Sequence, residues 1–153
     1  MRVTIDGAIA QHDATEALAD VMARIGADSG TVHWLGSDGL LHLLAATPGL
    51  PDQVLDAIRV IPVGKGMAGL AVERREPVTT CNIQSDTSGD VRPGARATGL
   101  AGALVVPIFD SDHVVGALGA ANRTERSFSD DEVQFLLETG RRLAAEGRNS
   151  RKL

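Results

Sequence analysis

Gly64, Gly66 and Gly69 are spaced as G-x-G-x-x-G, and no other stretch of this chain matches a chemical fingerprint so directly. Such a run lets the backbone come close to a phosphate and opens a helix whose free N–H groups hold the anion. The chemistry it points to is dinucleotide binding. That also requires a parallel strand on each side and a long crossover helix. Here Pro77 closes the helix after barely two turns. Asp86, twenty residues beyond Gly66 where a ribose-binding acid belongs, falls among polar loop residues. The glycines are therefore read as a tight turn and a close helix–sheet approach, with N–H groups still able to receive an anion.

Other reactive side chains are sparse. His33 and His42 flank the turn Gly36-Ser37-Asp38-Gly39. They face each other if Ser37-Asp38 is the hairpin loop, and do not if Asp38-Gly39 is. Two histidines without an assured third ligand make a weak site, so both are read as polar strand positions and no metal is expected. Cys81 is the only cysteine, which excludes an internal disulfide and any multi-cysteine metal site. Its strand-like surroundings favour a buried strand cysteine over a redox handle. Arg92 and Arg96 stand four apart in the polar, unpatterned stretch 84–99. One helical turn after Pro93 would aim both guanidinium groups at a single anionic ligand; the plainer reading is two solvated arginines. No catalytic residue is assigned.

Short elements must position these residues. A helix is expected over 13–25, with Asp13 and Glu16 as a capping box, Leu18, Val21, Met22 and Ile25 as one apolar stripe, and Gly26 as its end. Residues 1–11 read as a lead-in turn or helix extension. Strands at 31–35 and 40–46 are joined so tightly that they must be antiparallel. Trp34 is placed in the core or a pocket wall. After the break at 47–52 comes a short helix with Val54, Leu55 and Ile58 on one side. Pro62 lies in an extended lead into the glycine motif, whose helix runs to about 75 and is followed by a strand over 78–83. A loop as long as 84–99 inside a compact domain reads as a functional lid. Strands at 103–109 and 114–121 pair through Asp110-Ser111-Asp112-His113, with a bulge or an edge-facing position at Pro107. Gly116, Ala117, Gly119, Ala120 and Ala121 leave so little side-chain volume that a helix or a ligand must pack close. The last helix opens with the capping box Ser129-Asp130-Asp131-Glu132 and a Phe128–Val133 staple, and runs to about 146. On it, Gly140 and Ala144 form a narrow face that admits another helix.

With 153 residues, 43% apolar and 23% charged, the composition fits one soluble globular domain with a single core. A net charge of −5 and a pI near 5.3 argue against a nucleic-acid or anionic-membrane surface. The basic tail at Arg148, Arg151 and Lys152 is read as a solvated helix end. No signal pattern is present, and no apolar run approaches the roughly 20 residues of a membrane span. A cytoplasmic location is expected.

Several segments, taken in order, resemble a GAF domain over nearly the whole chain. They are Val63-Gly64-Lys65-Gly66-Met67-Ala68-Gly69 with Pro77-Val78, Leu104-Val105-Val106-Pro107-Ile108, Val115-Gly116-Ala117-Leu118, Asn122, and Phe128-Ser129 before Asp130-Asp131-Glu132. The resemblance implies an α+β fold with a central antiparallel sheet of five or six strands. The first and last helices would cover one face, and short helices with a long loop would roof a pocket on the other. A single GAF-like domain is expected over 1–153, with a core of about 13–146 and a basic tail at 147–153.

GAF domains sense cyclic nucleotides, bilins, haem, redox state or metabolites, or simply dimerise. One branch is the free methionine-R-sulfoxide reductase. That chemistry needs a cysteine just after the glycine turn and another in the lid; this chain has Ala68 in the first place and no cysteine at 84–99. Bilin attachment usually needs a Cys-His neighbourhood, which Cys81-Asn82 does not supply. The likeness to cyclic-nucleotide GAF domains at Asn122-Arg123, Phe128 and Asp131-Glu132 departs in spacing, and Arg123 replaces the usual lysine. What the resemblance best implies is a non-enzymatic sensor or regulatory module holding an unidentified small molecule, with anions among the candidates. Loop position selects Met67, Cys81, Arg92, Arg96, Thr98 and Leu104 as ligand-binding residues; no particular cofactor is indicated. The rival is a ligandless interaction module that forms a homodimer through its terminal helices. With no output domain in the sequence, a signal would pass to a signalling partner in trans.

Overall fold

Two hairpins form the centre of the structure, a computed structural model that describes residues 9–151. In the first, β1 (Ser29–Leu35) pairs antiparallel with β2 (Leu40–Ala46). Gly36 N–H donates to the Leu40 carbonyl at 2.9 Å, and Gly39 takes φ +78°. The loop is therefore three residues long, and neither two-residue turn forms. His33 consequently pairs with Leu43, while Trp34 pairs with His42 and stacks on its ring at 4.7 Å. The second hairpin joins β5 (Ala103–Asp110) to β6 (His113–Ala121), with its register irregularity between Ile108 and Phe109, just beyond Pro107.

β6 pairs with β1, and short strands β3 (Val60–Pro62) and β4 (Val78–Thr80) add to β2 and β5. The order is β3-β2-β1-β6-β5-β4, a six-stranded, wholly antiparallel sheet. α1 (Gln11–Ile25) and α4 (Asp130–Arg151) pack on one face. α2 (Asp52–Ile58), α3 (Gly66–Arg74) and a 3₁₀ helix (Pro93–Thr98) cover the other. The α+β arrangement implied by the resemblance is the one observed. Among the described residues, no helix is long and apolar enough to cross a membrane.

Side chains alternate across a strand, and here the two faces differ in volume. Val32, Leu104, Val106, Ile108 and Leu118 enter the core under α1 and α4, against Leu18, Val21, Leu136 and Leu143. The opposite face carries Ala103, Ala117, Gly119 and Ala121 from β5 and β6. Leu104 is therefore no cavity residue: its 0% exposure is burial on the helix-covered face. The parity of β5 decides this, because Ala103 and Val105 take the other side.

Helix ends follow the sequence at one terminus and depart from it at another. Ser129 and Glu132 form the reciprocal capping box, with Glu132 N–H to Ser129 Oγ at 3.1 Å and Ser129 N–H to Glu132 Oε1 at 2.9 Å. Asp13 does not cap α1. That helix starts at Gln11, two residues earlier than the capping box implied, and has no side-chain cap. Buried Ile9 and the 3.1 Å bond from Gln11 Nε2 to the Leu44 carbonyl anchor its start instead. Gly26 ends it in the left-handed conformation, φ +67°. α4 continues past 146 to Arg151, running through Gly147 without a break. A Cβ on Gly140 would lie 3.2 Å from Ile108 Cγ1. The narrow face of α4 thus fits its own sheet, where a second helix had been expected. The readings for residues 1–8, Lys152 and Leu153 lie outside the described residues.

Truncating Leu104 leaves a void beneath α4 without touching the opposite face. Leu104→Ala is expected to cost about 2–5 kcal/mol in urea unfolding, with small-molecule binding unchanged once the protein is folded.

Candidate functional site

The glycine motif lays α3 across the sheet. β3, which precedes it, and β4, which follows it, lie on opposite edges. Nine helical residues reach about 14 Å, so α3 and its short flanks form a strap over the small residues of β5 and β6. A Cβ on Gly69 would sit 2.5 Å from the Pro62 carbonyl oxygen, and one on Gly66 would sit 2.9 Å from Arg92 Cδ. Gly64 and Gly66 adopt φ +91° and +66°. The motif therefore serves a close approach, and its flanking strands are antiparallel to their neighbours, unlike those of a dinucleotide unit.

Between this strap, α2 and the 3₁₀ helix lies a cavity of about 540 Å³. Thr31 and His33 of β1 form its floor, Gln53, Val54 and Ile58 one wall, and Lys65, Gly66, Met67 and Ala68 another. Val91, Arg92, Ala95 and Thr98 close it from the loop side. Lys65 and Arg92 bring positive charge, and no carboxylate lines the cavity. The first N–H groups of α3 add partial positive charge at Gly66 and Met67.

His33 is the buried polar group of the floor, 2% exposed. Its Nε2 lies 2.8 Å from the Ile58 carbonyl oxygen. A carbonyl can only accept, so Nε2 carries the hydrogen and Nδ1 keeps a lone pair. Burial holds the imidazole below its ordinary value of 6.5, the Ile58 carbonyl opposes this, and nearby His42 adds to the lowering.

The 84–99 stretch forms an ordered roof. Asp86 accepts from Thr80 Oγ1 at 2.6 Å and from Ser88 Oγ at 2.5 Å. Gln84 Nε2 donates to the Arg96 and Leu100 carbonyls. Arg74, on α3, makes paired 2.9 and 3.0 Å bonds to Asp90, a bidentate tie between strap and roof. Val91 and Ala95 join a small apolar cluster built on Ile83, Leu100 and Ala103, with Leu50, Met67 and Ala121 beside them.

Met67, Arg92 and Thr98 line the cavity, whereas Cys81, Arg96 and Leu104 do not. Arg92 is the extended N-cap of the 3₁₀ helix and Arg96 lies within it, so the two share no helical face. Arg96 Nη2 donates instead to the Asp86 carbonyl at 3.3 Å. Cys81 is exposed and not a buried strand residue, since the β4 ladder stops at Thr80↔Ala103. Its carbonyl accepts from Arg126 N–H. The residues that sequence reasoning passed over are His33, Thr31, Gln53 and Lys65. The signal for Thr31 and His33 was their shared strand parity; Lys65 stood in the glycine motif itself. Asn122, Arg126 and Glu132 are used structurally: Asn122 Nδ2 donates to the Gly26 carbonyl at 2.8 Å, and Arg126 pairs with Glu132. Among the described residues no group of three metal-ligating side chains occurs.

A single antiparallel sheet with two helices on one face and a roofed cavity on the other defines a pocket-bearing class of α+β domain. The family profile described as GAF domain matches residues 9–145, and the chain belongs to this family. No curated protein matches its sequence. Solved structures share the fold. The GAF domain from a phosphoenolpyruvate-protein phosphotransferase of Coxiella burnetii is 21% identical, with a TM-score of 0.77 over 97% of this chain and 87% of that one. The free methionine-R-sulfoxide reductase from Neisseria meningitidis, in complex with its substrate, is 19% identical, with a TM-score of 0.76 over 93% and 80%. The GAF domain/HD domain protein from Geobacter sulfurreducens is 17% identical, with a TM-score of 0.75 over 94% of each chain. At these identities the likeness is one of fold.

Two outcomes are expected from this geometry. A histidine held neutral by burial stabilises the fold fully above its unfolded value of 6.5, and the contribution is lost as pH falls from there toward the lower folded value. The stability difference between wild type and His33→Phe, followed by urea unfolding, should therefore shrink between about pH 7 and about pH 5. Arg74→Ala should speed amide exchange across 84–99 while leaving the exchange of β1, β5 and β6 unchanged; an unaltered rate at 84–99 would show that the Asp90 pair does not hold the roof.

Proposed function

We propose that this chain acts as a cytoplasmic, single-domain GAF regulatory module that binds a small anionic molecule in its cavity and signals to a partner in trans. The observation that carries the reading is the lining: two cations, the N-terminus of α3 and no carboxylate around about 540 Å³ of space. That volume lies within the range of pockets for small ligands. Binding would bridge the strap and the roof through Lys65 and Arg92, favouring the closed arrangement over any more open one. Dimerisation through the outer faces of α1 and α4 would offer one route for the signal, since both helices pack on the same sheet.

The absence of reductase chemistry is part of this proposal. Cys81 is exposed, has no second cysteine to resolve it, and lies off the cavity lining. Turnover of free methionine sulfoxide by the purified protein would overturn the non-enzymatic reading.

Thermal shift with small carboxylates, phosphate monoesters and cyclic purine nucleotides tests the binding reading. A true ligand at 100 times its Kd adds about 2.7 kcal/mol of stability. The stabilisation should vanish in the Lys65→Ala/Arg92→Ala double variant and persist in Arg96→Ala. Stabilisation indifferent to Lys65 and Arg92, or none across the panel, would reject the anion site and favour a ligandless interaction module.

A further inference from the structure

We propose that His33 makes the cavity selective for anions that also carry an uncharged N–H or O–H donor, over acids lacking a donor and over zwitterions carrying an ammonium. This rests on the anion-binding reading above and adds a second recognition point to it.

The floor and the mouth of the cavity have opposite hydrogen-bonding character. Lys65 and Arg92 only donate, and so do the first N–H groups of α3. Thr31 and Gln53 can donate or accept, so they do not discriminate, and Thr98 is engaged in its own turn, donating to the Ala95 carbonyl at 2.7 Å and accepting from Leu100 N–H at 3.0 Å. His33 is different. Its Nε2–H is committed to the Ile58 carbonyl at 2.8 Å, which leaves Nδ1 as an obligate acceptor. No described residue bonds Nδ1, and among the described residues no buried polar side-chain atom is both sealed and unpartnered. The free nitrogen therefore opens on the cavity that the ring lines. Within a site that excludes water, an acceptor met by no donor is penalised, so a ligand that supplies one gains over a ligand that does not.

Charge sets the second half of the preference. The groups around the ring are His42 on β2 and, across the cavity, Lys65 on the α3 side and Arg92 on the loop side. None is a carboxylate. An ammonium would be desolvated beside two cations with nothing to neutralise it. A hydroxyl or amide donor reaches the same lone pair without that penalty.

Two matched probe sets test the inference by titration calorimetry. One is 2-hydroxy-4-methylpentanoate, leucine and 4-methylpentanoate; the other is 6-hydroxyhexanoate, 6-aminohexanoate and hexanoate. They place the donor near to and far from the carboxylate. In at least one set the hydroxy acid should bind fivefold or more tighter than both companions. His33→Phe should erase that preference while the unsubstituted acid binds as before, and His33→Gln, which can still donate to Ile58 and accept from the ligand, should restore part of it. In the wild type, the ¹⁵N resonance of Nδ1 should move upfield when the hydroxy acid binds, as expected for a lone pair that gains a hydrogen bond. Equal affinities within both sets, with Arg92→Ala weakening all of them, would overturn the role of His33 and leave the anion site standing. Preference for the ammonium compounds, or preference surviving in His33→Phe, would also overturn it. No binding by any of the six would overturn the selectivity, and if phosphate monoesters and cyclic purine nucleotides also failed to stabilise the protein, the anion site would fall with it.

Discussion

The cavity depends on how α3 is seated on one face of the sheet. On the face under α1 and α4, the central strands present valine, leucine and isoleucine, and the space is filled. On the other face, Ala117, Gly119 and Ala121 of β6 and Ala103 of β5 let α3 pack close, and the cavity opens beside it, over Thr31 and His33 of β1. Interiors normally close to near-crystalline density. Here the strap is held at a height fixed by its own backbone, where Gly69 rests against the Pro62 carbonyl. A polar floor can then persist inside, because Thr31 and His33 project into space that no side chain claims.

Different forces hold the two sides. Under α1 and α4, apolar burial dominates, supplemented by the guanidinium of Arg24 over the Phe135 ring. Above the cavity, the roof is tied by Asp86, Gln84 and the Arg74–Asp90 pair, with a small apolar cluster beneath. Exposed ion pairs and short polar loops contribute little net stability, so the roof belongs to the part of the molecule that opens at low cost. The two sides also touch. Phe109 at the tip of β5 lies between Arg75, at the C-terminal cap of α3, and Arg141 of α4, at 5.5 and 5.1 Å. The strap and the last helix thus meet at one aromatic ring.

Local signals spoke plainly for the fold. The Ser129–Glu132 box, the glycine turn and the two hairpins are short-range features whose order admits few topologies. The site was only partly legible, because its residues are chosen by tertiary placement. Leu104 was misplaced by ignoring strand parity, which the run from Ala103 to Ile108 already carried. Arg96 depended on where the short helix begins, since Arg92 stays extended as its N-cap and shares no turn with Arg96. Cys81 lost its strand because β5 begins opposite Thr80 and offers no partner beyond it. His33 looked like any polar strand residue until a three-residue loop and a bulge between Val32 and His33 set its register. Met67, Arg92 and Thr98 line the cavity because they sit at the helix and loop ends that any roof over such a sheet must use.

The roof is also one uninterrupted length of chain. α2, β3, α3, β4 and the 3₁₀ helix all fall within 52–98, between the end of β2 and the start of β5. Three strand spacings, about 14 Å, separate the positions in the sheet where this length departs and returns. The scaffold of α1, β1, β2, β5, β6 and α4 is built from what lies on either side of it. Cavity lining and scaffold are thus written in largely separate paragraphs of the same sequence. A graft that replaced the inner paragraph, with the two floor residues on β1 retuned to match, would recast the cavity while the outer helices keep their grammar.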